Sequence, residues 1–76
     1  MNAIDLVKEE LNKKRKKNKF VSSPHEGYAL ILEEVDELWE EVKKKQSLHN
    51  KQMMLDEAKQ IAARAIMFMQ DVCDVD

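Results

Sequence analysis

Residues Ser23–Val42 read SPHEGYALILEEVDELWEEV, and this stretch decides the fold. Ser23, Pro24 and Glu26 stand where a helix start places its N-cap, its first-turn proline and the acid of a capping box. From there Tyr28, Ile31, Leu32, Val35, Leu38, Trp39 and Val42 recur at intervals of three and four, an apolar stripe about four turns long. The spacing predicts an amphipathic helix over about 24–45. Its charge is one-sided: six of the nine residues from Glu33 to Glu41 are acidic, and no Lys or Arg occurs between His25 and Glu41.

Working outward, KKKQSLHN at 43–50 is a lysine-rich helix end followed by a polar loop. A second long helix is predicted over about 51–73, with Met54, Ala58, Ile61, Ala65, Phe68 and Val72 on one stripe. Ala62, Ile66, Met67 and Met69 widen that surface almost all round, so this helix expects neighbours on more than one side. Before the quoted stretch, Ile4, Val7 and Leu11 with Asn2 as N-cap predict a short helix over about 3–17. The fold class is therefore all-α, one domain over 1–76: a hairpin of two long helices plus a short N-terminal helix. So much apolar surface exceeds what these helices can cover, which predicts a homodimer or homotetramer built as a four-helix bundle.

Composition sets the remaining bounds. A chain of 76 residues buries a limited fraction of its surface, and 37% charged residues with one Gly and one Pro favour long helices over a strand-rich fold. A lone cysteine, Cys73, excludes an internal disulfide and suits a reducing compartment. No apolar run is long enough to span a membrane, so the expected location is cytoplasmic with no membrane partner. The net charge of −2 hides a basic run, KKRKKNK from Lys13 to Lys19. It reads as a solvated helix end and linker. With only Phe20 at its edge to stack a base, a nucleic-acid partner is not expected.

Glu34, Glu37 and Glu41 fall along one flank of the apolar stripe, while Glu33, Asp36 and Glu40 point more toward solvent. Like charges three or four apart cost a helix roughly 0.2–0.5 kcal/mol per pair. Lys43–Lys45 can serve Glu40 and Glu41 but lie too far along the axis for Glu34. On the last helix Glu57, Gln60 and Arg64 lie together beside its stripe. If the two long helices pack antiparallel, three carboxylates and one amide face a common space. That donor set suits a hard divalent cation, Mg²⁺ or also Mn²⁺. The same spacing also fits a solvated acidic face. Arg64 either reaches a phosphate with its fork of donors or pairs with a neighbouring acid. His25 and His49 read as surface residues, Tyr28 and Trp39 as core or subunit-interface packing, and the methionines as core filler.

The pair Glu34-Val35-Asp36-Glu37 and Glu57-Ala58-Lys59-Gln60 resembles the ExxE and ExxD signature of the all-α NTP pyrophosphatases, the MazG-like group, over roughly residues 23–73. The resemblance implies a hydrolase that uses Mg²⁺ to split a nucleoside triphosphate into a monophosphate and pyrophosphate. It implies metal ligation by Glu34, Glu37 and Glu57, with Gln60 departing from the family's Asp. Glu41, the nearest remaining acid on that face, is the candidate to orient the attacking water or act as base. Two rival expectations stand beside this one: a catalytically degenerate member that binds nucleotide or metal, and a helical module whose acidic face docks a basic partner.

Overall fold

The computed structural model describes residues 1–17 and 20–76, so Asn18 and Lys19 of the basic run lie outside the described residues. Three α-helices make up the fold: α1 (Ala3–Lys17), α2 (Pro24–Val42) and α3 (Lys51–Asp71). No strand occurs among the described residues, and no helix is long and apolar enough to cross a membrane.

Each helix start is capped by its own sequence. Asn2 Oδ1 accepts from the Asp5 amide at 2.9 Å, Ser23 Oγ from the Glu26 amide at 3.1 Å and Asn50 Oδ1 from the Met53 amide at 3.1 Å. Glu26 reaches back one residue beyond the N-cap, its Oε1 accepting from the Ser22 amide at 2.9 Å. The helix ends fall short of the expected 45 and 73. The Lys43 amide closes α2 onto the Trp39 carbonyl, then Lys45 turns to an extended ψ of 143° and a short 3-10 turn, Gln46–Leu48, follows. His49 Nε2 meets the Val42 carbonyl at 3.0 Å and seals that end. Beyond α3, Asp74 takes a left-handed φ of 57°, which brings the Val75 amide back to the Met69 carbonyl at 3.1 Å.

The central helix is α3, with α2 packed on one side and α1 on the other. The contact of Gly27 with Phe68 and of Glu34 with Arg64 shows α2 running antiparallel to α3. Lys14 reaches Gln60 and Arg15 reaches Asp71, so α1 runs parallel to it. Gly27 permits the close approach: a Cβ there would lie 2.5 Å from Phe68 Cδ2 and 3.1 Å from Val21 Cγ1. Side by side, the helices form a slab whose thinnest extent is 19 Å.

A slab this thin buries little. Val21, Ala63 and Met67 are the buried apolar side chains. The stripe expected on α2 divides in two. Gly27, Leu30, Ile31, Glu34, Leu38 and Glu41 are the less exposed positions, on the side of α2 that meets α3. Tyr28, Leu32, Val35, Trp39 and Val42 face outward, with Tyr28 63% and Trp39 58% exposed. On α1, Ile4 is 68% exposed, because the packed face runs through Leu6, Val7, Glu10, Leu11 and Lys14 instead.

Candidate metal centre

Antiparallel packing sets the inner flank of α2 against α3, and with it Glu34 and Glu37 against Glu57. One oxygen from each of these three carboxylates lies within 4.8 Å of the others. Glu34 is 6% exposed, Glu57 half-buried and Glu37 open to solvent, so the group runs from the helix interface to the surface.

Their charges are poorly matched. Glu34 Oε1 lies 3.7 Å from Lys14 Nζ and 3.9 Å from Arg64 Nε, at ion-pair but not hydrogen-bond range. Glu34 Oε2 and Glu57 Oε2 are buried with no hydrogen-bond partner among the described residues. Burial raises the Glu34 carboxyl above its ordinary value, against the pull of Lys14, and Glu37 adds to the rise. Burial and the neighbouring carboxylates of Glu37, Glu34 and Asp56 raise Glu57 from 4.5 to about 7. Both shifts have one physical origin: these carboxylates are drawn out of water and crowded together with too little positive charge beside them.

Gln60, the fourth residue expected at this centre, directs its Oε1 at Lys14 Nζ at 3.1 Å. Arg64, 9% exposed, lies against Glu34, and its Nε and Nη1 have no hydrogen-bond partner among the described residues. Both side chains line an open cleft of about 280 Å³ with Glu10, Glu34, Lys13, Lys14 and Lys17. Glu41 is not among the converging acids: its two oxygens accept from Lys44 Nζ at 2.9 and 3.1 Å, as Glu40 accepts from Lys43 at 3.0 Å.

Sequence reasoning missed Lys14. It was grouped with a solvated run, yet it is 8% exposed and supplies the cation that Glu34 lacks on its own helix. The signal is its register: Lys14 stands three residues after Leu11 and seven after Val7, on the packed face of α1. Its neighbour Arg15 is also engaged, holding Asp71 by a fork of two bonds, at 2.7 and 2.9 Å.

The donor set is all oxygen, carries up to three negative charges and leaves two buried oxygens without a hydrogen-bond donor among the described residues. A hard divalent cation with part of its water shell meets each of those needs, so the residues fit Mg²⁺ or Mn²⁺. Compared with known proteins, the chain matches no family model, no curated protein and no solved structure.

Proposed function

We propose that the protein is a MazG-like nucleoside triphosphate pyrophosphohydrolase that works with Mg²⁺ as a homo-oligomer. The observation that carries this reading is the meeting of Glu34, Glu37 and Glu57 from two helices, with buried oxygens that no donor among the described residues satisfies. These three residues would hold the metal. When bound, Mg²⁺ supplies charge neutralisation for a polyphosphate and lowers the pKa of water.

The protein's own groups do the rest. Arg64, whose Nε and Nη1 are buried without a hydrogen-bond partner among the described residues, lines a cleft together with Lys13, Lys14 and Lys17, a gathering of positive charge that suits phosphate oxygens. Glu41 is the acid assigned to orient water, which requires its pair with Lys44 to open. On the outer face of α2, Tyr28, Leu32, Val35, Trp39 and Val42 follow the alternating four-and-three spacing of a coiled-coil seam, and a second copy laid along it completes a four-helix bundle.

One observation favours a second reading, metal or nucleotide binding without turnover. Gln60 stands where the resembled family has an acid, and its carbonyl oxygen is occupied by Lys14. Incubation with a panel of NTPs and dNTPs, in Mg²⁺ and then in EDTA, separates the two. Mg²⁺-dependent release of monophosphate and pyrophosphate supports the enzyme, whereas nucleotide binding with no product from any substrate supports the degenerate form.

A further inference from the structure

Lys14 holds two of the four residues assigned to the metal. Its Nζ donates to Gln60 Oε1 at 3.1 Å and lies 3.7 Å from Glu34 Oε1 and 3.8 Å from Glu10 Oε2. An ammonium this buried is stable only among acceptors and opposite charge. Lys14 is also the point where α1 touches α2, since the two helices do not pack against each other directly. Its position is rigidly supported: the next residue, Arg15, is forked onto Asp71 of α3.

From this arrangement we infer that Lys14 is the resident counter-ion of the carboxylate centre, and that a divalent cation binds there in competition with its ammonium. The inference rests on the reading of Glu34, Glu37 and Glu57 as a metal site and deepens it. A cation entering beside Glu34 meets a like charge already in place, and Gln60 can offer its carbonyl oxygen only after Lys14 lets go. Like charges within about 4–6 Å shift an ionic equilibrium by roughly one to three powers of ten. Lys14 thus sets the threshold at which the centre fills. Displaced from Glu34 and Gln60, its ammonium remains in the cleft beside Arg64.

The test is Mn²⁺ titration of the full chain, followed by electron paramagnetic resonance at pH 8. Lys14→Met keeps the apolar stem and removes the charge, and Lys14→Gln removes the charge while keeping a donor for Gln60. Both are expected to bind Mn²⁺ about tenfold more tightly than wild type, and Glu37→Gln to bind it weakly or not at all. Equal or weaker binding in both Lys14 variants, with Glu37→Gln still impaired, overturns the role of Lys14 and leaves the metal site standing. No binding by wild type or by either Lys14 variant overturns the metal site and this inference with it. Should neither variant fold, the wild-type chain answers alone: Mg²⁺ addition must shift the Lys14 ¹³Cε resonance, and an unmoved resonance at saturating Mg²⁺ contradicts displacement.

Discussion

Two buried carboxylate regions lie toward opposite ends of α3, Asp71 at its last residue and Glu57 in its first half beside Glu34, and they are built in opposite ways. At one end Asp71 takes a forked pair of bonds from Arg15 at 2.7 and 2.9 Å and a third from the Val21 amide at 2.8 Å. The Arg15 fork holds its carboxyl below the ordinary range, and the Val21 bond adds to that effect against the opposing influence of burial. At the other end Glu34 and Glu57 keep buried oxygens without donors among the described residues, and both carboxyls are raised. A satisfied carboxylate closes a structure. An unsatisfied cluster costs stability unless something binds it. The contrast sets a satisfied carboxylate at Asp71 against an unsatisfied cluster at Glu34, Glu37 and Glu57.

Substitutions can break that contrast from either side. The largest effect is expected at the open cluster: Glu37→Gln should lower Mg²⁺-dependent turnover by roughly 100-fold or more, measured as pyrophosphate release. Next is the satisfied carboxylate, where Asp71→Asn removes the charge that Arg15 grips and should cost about 2 kcal/mol of stability, read from urea unfolding. The smallest is again at the cluster, but with opposite sign. Glu37→Gln in EDTA should leave the fold unchanged or stabilise it by up to about 0.5 kcal/mol, through relieved repulsion.

pH sharpens the same comparison. Asp71 is depressed in the folded state, so its contribution is present above the unfolded value and is lost as pH falls through the folded one. Glu57 is raised from 4.5 to about 7, so between those values the folded chain binds more protons than the unfolded chain. Stability in EDTA should therefore decline as pH rises from about 4.5 to about 7 and flatten above. Glu57→Gln should remove most of that decline while leaving the acid limb set by Asp71, as melting curves across the range will report.

How much of this was legible beforehand depends on whether the controlling contact is local. Ser23, Pro24 and Glu26 announce α2 because a cap is decided within four residues, and the structure places Ser23 Oγ on the Glu26 amide as expected. The convergence of Glu34, Glu37 and Glu57 was legible because a short connection between two long helices leaves antiparallel packing as the simple solution. Lys14 and Arg15 were not, since their partners lie 46 and 56 residues away and depend on how α1 settles across α3. Ile4 fails for the same reason: Val7 and Leu11 do lie on the packed face, and whether Ile4 or Leu6 joins them depends on where α3 lies against α1. On α2 the periodicity merged an inner and an outer seam into one stripe. Period alone carries no information on which seam meets a neighbour in the same chain.

The most direct measurement is thermal unfolding of the wild-type chain and Glu37→Gln at pH 7.5, each in EDTA and in millimolar Mg²⁺. A cation that binds the folded state alone raises its stability by mass action. The account predicts that Mg²⁺ raises the wild-type melting temperature and leaves that of Glu37→Gln in place. A wild-type chain indifferent to Mg²⁺, or a variant that responds equally, would contradict a metal centre at Glu34, Glu37 and Glu57.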